Sequence, residues 1–483
     1  MSETPLLGLK LQPRAGTPLF EQICQALRRR ITAGLLQPGD RLPPSRRLAD
    51  ELGVSRTTIL SAYDQLMAEG FAASRRGSGV YVSEIGEVER RAGEGAVIAA
   101  APPARGSRRA LPARAPAPLL FHPGQPDMRL FPARAWGRCV AKLARSRPGA
   151  LVGATHPFGD AELRAEICRY LAEWRGVVAA PEQILITAGS GDALEICLRA
   201  LAGNRPVALE NPGYPPLAAH AAAMGLRVNW LAIDDHGAVP PSAAADPQPG
   251  LAVLTPSSQF PLGGAMPQAR RNLFLNWAAE HDGWIIEDDY DSEFRYAGQP
   301  IPALASLGAS ERVVYVGSFS KIFSSGFRLG FMVIPKALIP VIKASLALYG
   351  GKASIAAQRP LAMFMQSGEF YRHIRRVRRI YAERRALLIG LIGSAKPVPG
   401  TFTDHRAGMH ITLHLPRSAD DRSLSRLAAE RGLACQALSS YFAAPPAARG
   451  LLLGFCGFTC EELEIGFAHL SEVLRRSGVS SEA

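Results

Sequence analysis

The sequence of 483 residues contains few cysteines and no long apolar run. The seven cysteines are odd in number and scattered, and none forms a Cys-x-x-Cys pair. This disfavours a disulfide framework or a metal cluster and fits reduced thiols in a cytoplasm. The longest apolar stretch, residues 331–350, is interrupted by Lys336 and Lys343, so no membrane-spanning helix is expected. The N-terminus also lacks a basic start followed by an apolar stretch, so export is not expected and we predict a cytoplasmic protein.

Charged residues are modest in number, at 20%, whereas hydrophobic residues make up 47%. That composition is typical of a globular protein and excludes a mainly disordered or fibrous chain. The length predicts about two to four domains. The formal charge of +13 favours polyanionic partners in general, and alone it is weak evidence for DNA.

The sharpest change in composition falls at residues 86–118. Ala, Pro, Arg and Gly dominate this stretch, large apolar residues are few, and no helical or strand period survives. Such a segment cannot bury enough surface to fold. We therefore predict a semi-extended linker at 86–118 that joins a small domain, residues 1–85, to a large domain, residues 119–483.

The small domain shows a helix-turn-helix pattern. Apolar residues recur at intervals of four in 18–33, which predicts a first helix, and residues 46–52 fit a short second one. Ser55 is a good N-cap for a third helix, whose first turn is polar. Residues 71–82 predict two short strands around a basic, Gly-rich tip. A polar N-terminus on the second helix of such a pair is the geometry that reads DNA base edges.

This stretch resembles a known family. The run PGDRLPPSRRLADELGVSRTTILSAYDQLMAEGF, followed by GSGVYV, is similar to the winged helix of GntR-type transcription regulators over about residues 17–83. The resemblance implies DNA contacts from the helices and the wing, at Arg46, Ser55, Arg56, Thr57, Thr58, Arg75 and Gly77. The alternative is a three-helix module that packs against a partner protein.

In the large domain, short apolar runs alternate with stretches compatible with helices. This order predicts an α/β domain with a largely parallel sheet, whose strand ends carry the site. Polar clusters follow three of the runs, at 288–294, at 317–321 with Arg328 beyond, and at 188–192. The last cluster is a small-residue turn that leads into a helix, and such a turn can hold a phosphate by its backbone N–H groups.

Four stretches, ENPGYPPL, LTPSSQFPLGGAMPQARR, IIEDDYDSEFRYAGQPIPAL and VGSFSKIFSSGFRLGF, resemble fold-type I aminotransferases. Together with the winged helix they resemble the MocR/GabR-type regulators, which fuse a GntR winged helix to such a domain. The resemblance implies a pyridoxal 5'-phosphate cofactor held as a Schiff base, or aldimine, on Lys321. It further implies that Asp288 holds the pyridine nitrogen, Tyr290 the phenolic oxygen and Tyr214 the ring face. The remaining residues would hold the phosphate: Ser190, Gly191, Ser318, Ser320 and Arg328.

The sequence departs from the aminotransferase pattern where a carboxylate-binding arginine is usual. The matching run, residues 451–455, contains no arginine, and Arg449 is the nearest. The family resemblance implies a domain-swapped homodimer that binds paired DNA half-sites. We therefore expect a DNA-binding transcription regulator that senses an amine, an amino acid or pyridoxal phosphate itself through Lys321. Two alternatives stay open: an active aminotransferase with an accessory DNA-binding domain, and a DNA-binding protein whose large domain only dimerises.

Overall fold

The chain divides into two compact units, residues 1–112 and residues 113–483. The computed structural model describes residues 9, 11–12, 16–75, 78–84, 120–153, 156–298, 301–307, 310–395, 400–443 and 445–478. The segment 86–118, for which a linker is predicted, and Gly77 lie outside these residues. Each unit has a hydrophobic core of its own.

The small unit is a winged helix, as the sequence predicts. Its elements are α1 Leu19–Thr32, α2 Ser45–Leu52, α3 Arg56–Ala68, β1 Ala72–Arg75 and β2 Gly79–Val82. Gly53, at a φ of 64°, ends α2, and the hydroxyl of Ser55 accepts a hydrogen bond from the backbone N–H of Thr58 to begin α3. The two strands pair antiparallel, with Ala72 opposite Val82. Fully buried leucines and isoleucines from the three helices fill the core: Ile23, Leu27, Leu48, Ile59 and Leu66.

A mixed eight-stranded sheet in the order β3-β10-β9-β8-β7-β4-β5-β6 organises the large unit. The strands are β3 Ile184–Thr187, β4 Val207–Asn211, β5 Val228–Asp234, β6 Gly237–Ala238, β7 Leu251–Leu254, β8 Trp284–Asp289, β9 Val313–Ser318 and β10 Gly330–Val333. Strands β9, β8, β7, β4 and β5 run parallel. The sheet is thus largely parallel, as the sequence predicts, and the exceptions are β10, which runs antiparallel to both of its neighbours, and β6, which runs antiparallel at the edge.

Helices cover both faces of this sheet. They are α4 Ala133–Ser146, α5 Gly149–Val152, α6 Ala161–Arg175, α7 Ser190–Leu201, α8 Pro215–Ala223, α9 Gln268–Glu280, α10 Ile339–Tyr349, α11 Gln358–Gln366 and α12 Glu369–Ser394. Side chains of α7 and α10 pack with Val314 and Val316 in one core cluster. Phe274 of α9 packs with Ile285 in another. Burial on both faces explains why these strands are continuous apolar runs.

The C-terminal part of the large unit adds a three-stranded antiparallel sheet in the order β11-β13-β12. Its elements are β11 His410–Leu415, α13 Asp421–Ala429, β12 Gln436–Ala437, β13 Arg449–Gly454 and α14 Cys460–Arg476. The second half of α12 packs on this sheet through Leu388 and Ile392. Among the described residues, no helix combines the length and apolar character needed to cross a membrane.

Candidate functional site

The strand ends of the large unit converge on one edge of the sheet. Asp288 lies near the end of β8, and Ser318 ends the parallel neighbour β9. Strand β10 lies between β9 and β3, and its Gly330 is opposite both Ser318 and Thr187. The sheet therefore brings the Lys321 segment and the 188–192 turn to the same edge. The segments that carry the three predicted polar clusters thus converge here.

The side chain of Lys321 is oriented by a backbone carbonyl. Its Nζ donates a hydrogen bond to the Gly124 oxygen at 2.8 Å. Burial lowers the pKa of this amine, while the carboxylates of Asp291 and Asp288 oppose the shift. A Cβ at Gly124, where φ is +68°, would stand 2.7 Å from Nζ. A side chain at position 124 would therefore displace the amine from this position, and the positive φ also favours glycine.

One carboxylate oxygen of Asp288 has no partner among the described residues. Its Oδ1 is buried and accepts no hydrogen bond from the described residues. Burial raises the pKa of Asp288 to about 7, with further increases from Asp289 and Glu210 and a decrease from Lys321. A buried acceptor without a donor is costly, so a ligand that offers an N–H group here is strongly favoured.

Aromatic side chains surround this carboxylate. The Tyr290 hydroxyl lies 3.3 Å from Ser258 Oγ. The ring of Phe260 meets Tyr290 and Tyr214 edge to face, at centroid distances of 5.6 and 6.1 Å. Tyr214 is 47% exposed and lines a cavity of about 110 Å³ together with Asp288. The predicted ring-face and ring-oxygen residues thus lie close to the predicted pyridine-nitrogen residue.

The turn predicted to hold phosphate has the geometry of a helix N-terminus. Gly189 has a φ of +97°, and Ser190 is the first residue of α7. The buried Asp192 carboxylate accepts the Ala188 N–H at 2.8 Å and so fixes the turn. Gly191, in the first turn of α7, is exposed. The N–H groups of this first turn suit an anion.

The other predicted phosphate residues follow β9. Ser318 Oγ accepts the backbone N–H of Ser320 at 3.1 Å, which fixes the start of the loop that carries Lys321. Arg328 is exposed and adopts a φ of +50°. Its side chain makes no hydrogen bond or ion pair with any described residue.

Sequence reasoning missed three residues that surround the lysine. Gly124 orients it, Asp291 is 2% exposed with an unpartnered Oδ2, and His410 is held neutral because burial lowers its pKa to about 4. Asp291 is the third aspartate of the DDYDSEF stretch, so the sequence alone could have indicated it as a further carboxylate of the site. Gly124 and His410 carry no local signal, because only the fold brings them to Lys321.

These residues fit pyridoxal phosphate. The cofactor needs a lysine amine, a carboxylate for its pyridine N–H and a turn of N–H groups for its phosphate. At one sheet edge the structure offers a half-buried lysine with a lowered pKa, a carboxylate oxygen without a partner among the described residues, and a helix N-terminus. The donor set therefore matches all three parts of the cofactor.

In the small unit, the predicted DNA contacts lie at the α2–α3 turn and the wing. Arg46, Arg56 and Thr57 are exposed, whereas Ser55 caps α3. Arg56 Nε donates to Ser45 Oγ at 3.2 Å. The remaining predicted helix contact, Thr58, gives its N–H to the cap and is half-buried.

Among the described residues, two exposed arginines lie on or beside the wing. The Arg75 guanidinium lies over the Tyr81 ring at 4.6 Å. Arg41, which sequence reasoning did not select, pairs with Tyr81 through an isolated β-bridge and stands beside Gly79. Arg75 therefore lies on the hairpin, whereas Arg41 precedes α2 and lies beside it, and both are exposed.

The fold and site define a class of protein, a DNA-binding winged helix joined to a pyridoxal-phosphate domain of aminotransferase type. The model of the bacterial regulatory proteins of the gntR family matches residues 19–82, and that of the class I and II aminotransferases matches residues 133–466. The chain belongs to the MocR-type regulators, the GntR-family transcription regulators with an aminotransferase-like domain.

Several relatives match along almost their whole length, and two of them have names that state a function. The probable rhizopine catabolism regulatory protein MocR of Rhizobium meliloti is 36% identical over 468 residues, 96% of this chain and 95% of that protein. The pyridoxine biosynthesis regulator PdxR of Corynebacterium glutamicum is 32% identical, over 97% of this chain and 98% of that protein.

Solved structures match the large unit. The α-aminoadipate aminotransferase LysN of Thermus thermophilus aligns with a TM-score of 0.65 and 28% identity, over 74% of this chain and 92% of its own. An archaeal alanine:glyoxylate aminotransferase, at a TM-score of 0.68 and 24% identity over 75% of this chain and 92% of its own, shows the same fold. Pyridoxal phosphate is the cofactor that this fold and family imply.

Proposed function

We propose that the chain regulates transcription in response to a small molecule that reacts with pyridoxal phosphate held at Lys321. The observation that carries the proposal is the pair formed by the half-buried amine of Lys321 and the carboxylate of Asp288, whose buried Oδ1 has no partner among the described residues, in a chain with a winged helix. When bound, the cofactor supplies an aldehyde that condenses with primary amines and a ring that withdraws electrons.

The residues around Lys321 prepare its amine to react. Burial lowers the pKa of this amine, so a larger fraction is neutral and nucleophilic than for an exposed lysine. The Gly124 carbonyl accepts its N–H and fixes its direction. The Asp288 carboxylate accepts the pyridine N–H in this proposal, and Tyr290 donates to the ring oxygen. The first turn of α7 and the Ser318–Ser320 loop hold the phosphate.

Strand β13 favours sensing over efficient turnover. Leu452, in its middle, is fully buried against Leu438 and Tyr441. Arg449, at the start of the strand, lies 3.5 Å from the fully buried Asp421 carboxylate. Neither residue offers the bidentate clamp that holds an amino-acid carboxylate. An amine without that carboxylate, an amino acid held differently, or the cofactor itself is the effector we propose.

A working aminotransferase is the second candidate, because Lys321, Asp288 and Tyr290 all stand in place for chemistry. One relative is the 2-aminoadipate transaminase of Thermus thermophilus, 28% identical over 74% of this chain and 91% of that protein. Steady-state assays with common amino donors separate the two candidates. Turnover would favour the enzyme, and spectral change without turnover would favour the sensor.

The regulatory proposal includes a homodimer that presents two winged helices to paired half-sites. A ligand shifts the arrangement of such a dimer only by binding one state more tightly than the other. We therefore expect effector exchange at Lys321 to change the half-site spacing that the dimer accepts. Operators with altered spacing, tested with and without effector, measure this change.

The first experiment is spectroscopic. Purified protein incubated with pyridoxal phosphate should show the visible absorbance of a lysine-bound cofactor, and borohydride should trap the adduct on Lys321. Lys321→Ala should lose both signals and keep its fold.

Gly124→Ala should weaken cofactor loading because its Cβ meets Lys321 Nζ. The control is Gly225→Ala, at a position with a similar φ of +70° and open space around it, and this variant should load normally. A colourless wild type with no trapped adduct would overturn the proposal.

A further inference from the structure

Helix α4 of the large unit presents a row of cations to solvent. Arg134, Arg138, Lys142 and Arg145 are all exposed. At 100° per residue they lie within about 80° of the helix circumference, over roughly 16 Å of its length. Leu143, about 140° around the helix from the middle of this row, is buried in the core. The cations therefore form one continuous stripe.

Helix α12 carries a second row. Arg372, Arg375, Arg376 and Arg379 are exposed and lie within about 100° of one another around the helix. The inward arginines of the same helix have structural partners. Arg378 Nε donates to the Glu293 carbonyl at 2.8 Å, and Arg384 pairs with Asp127 at 2.8 Å. The four exposed arginines are thus distinct from those that hold the fold.

The two rows meet at one carboxylate. Arg138 of α4 and Arg372 of α12 lie 3.4 and 3.1 Å from Glu369 Oε1. We call the eight cations of the two rows the basic surface. Six of them make no hydrogen bond or ion pair with any described residue: Arg134, Lys142, Arg145, Arg375, Arg376 and Arg379.

Few acidic groups oppose this charge. Glu369 lies between the rows, and the exposed Glu383 lies four residues after Arg379 on the same face of α12. Glu166 and Glu173 lie near Tyr371, at the edge of the α12 row. Glu166 is itself paired with Arg169 at 2.7 Å. Like charges held together on adjacent helices cost stability, and folding needs none of the six cations that have no partner. A polyanion that covers the surface removes this repulsion and releases its own counterions.

We propose that the basic surface binds the phosphate backbone of duplex DNA, outside the part that the winged helix reads. The inference rests on the proposed function, because the winged helix is what brings a duplex to the chain. Eight cations facing solvent match a surface of regularly spaced phosphates, and the contact needs no base sequence. This contact would increase the affinity of the protein for any duplex and make binding more dependent on salt, while the winged helix selects the operator sequence.

A labelling experiment localises the contact. Lys142 is the only lysine of the basic surface, and Lys336 is an exposed lysine elsewhere in the large unit. Lysine acetylation of the full chain is measured with and without a mixed-sequence duplex of about 60 base pairs. We expect Lys142 to be protected several-fold and Lys336 to be unchanged. Equal labelling of Lys142 in both states, in protein that does bind the duplex, overturns the proposal.

Matched variants test how much the basic surface contributes to the free energy of DNA binding. The first triple variant removes three cations of the basic surface: Arg134→Gln, Lys142→Gln and Arg145→Gln. The control triple variant removes the same charge from exposed positions elsewhere in the large unit: Lys336→Gln, Arg417→Gln and Arg475→Gln. Binding of the same duplex is followed against salt concentration. The first triple should lower the slope of log K against log salt by about 2–3, and the control should leave it near wild type.

The outcomes separate the two proposals. Equal losses in both triples mean that only net charge matters, and this overturns the basic surface. A change in sedimentation of the first triple without a change in slope means that the surface joins two copies, which also overturns it. A wild type that binds no duplex contradicts the DNA-binding function itself, before the surface is tested.

Discussion

At the scale of single residues, Asp288 is the group that most clearly requires a ligand. Its Oδ1 is buried without a donor, and its pKa is raised to about 7 by burial and by neighbouring carboxylates. Its neighbour Asp289 is also buried and also has one oxygen without a hydrogen-bond partner, but the Arg175 guanidinium lies 2.8 Å from its other oxygen. Among the described residues no cation forms such an ion pair with Asp288, so its carboxylate is open to a ligand.

Replacing Asp288 by asparagine should therefore have opposite effects on stability and on cofactor binding. Without cofactor, folded Asp288 holds its proton to higher pH than unfolded Asp288, whose pKa is near 3.8. The stability that the folded protein gains from holding this proton is fully present below pH 3.8 and is lost as the pH rises toward about 7. Asp288→Asn removes this loss, so at pH 8 the cofactor-free variant should be more stable by about 1–3 kcal/mol.

The measurement is chemical denaturation of cofactor-free protein at pH 5 and pH 8, paired with cofactor titration. The variant should gain stability at pH 8 and not at low pH, and it should bind pyridoxal phosphate at least tenfold more weakly. Asp235→Asn, at an exposed position, is the control and should change neither. A variant that loses stability at pH 8 would show that Asp288 has a partner within the protein.

At the scale of elements, α3 combines a structural cap with a predicted DNA contact in consecutive residues. Ser55 Oγ accepts the Thr58 N–H at 3.1 Å and lies within hydrogen-bonding distance of the hydroxyls of Thr57 and Thr58. Arg56 is exposed and reaches only Ser45 Oγ. The two residues therefore influence DNA binding by different routes.

Ser55→Ala should weaken DNA binding by destabilising α3, whereas Arg56→Ala should weaken it by removing a direct contact with the DNA. Loss of the cap costs about 1 kcal/mol and lowers the melting temperature of the small unit. Arg56→Ala should leave melting unchanged and weaken operator binding by about 1–3 kcal/mol. Thermal melts and operator titrations on both variants, with cofactor absorbance as the common control, check this. An Arg56→Ala variant that melts early would assign that residue to the fold.

Sequence alone predicts these elements well where local chemistry decides them. The cap at Ser55, the turn at Gly53 and the apolar runs of β7, β8 and β9 depend on neighbouring residues. The antiparallel insertion of β10 between β3 and β9 does not depend on neighbouring residues, because the path of the chain sets the direction of a strand. For the same reason the carbonyl of Gly124, 197 positions before Lys321, was beyond sequence reasoning.

At the scale of the whole molecule, the two compact units have separate cores and separate chemistry. Thirteen buried residues form the core of the small unit, and none belongs to the large one. The residues predicted to hold the cofactor all lie in the large unit, between Ser190 and Arg328, and so do Gly124 and His410 near Lys321. Damage to one core should therefore leave the other activity intact.

Leu27→Ala tests this separation. Leu27 is fully buried in the core of the small unit, and truncation of such a leucine costs about 2–5 kcal/mol, a large fraction of the stability of a small domain. DNA binding at 37 °C should fall sharply, while cofactor absorbance and the borohydride adduct stay at wild-type level. Leu35→Ala, where the side chain is 70% exposed, should preserve both activities. Loss of cofactor loading in Leu27→Ala would mean that the large unit depends on the small one for its own fold.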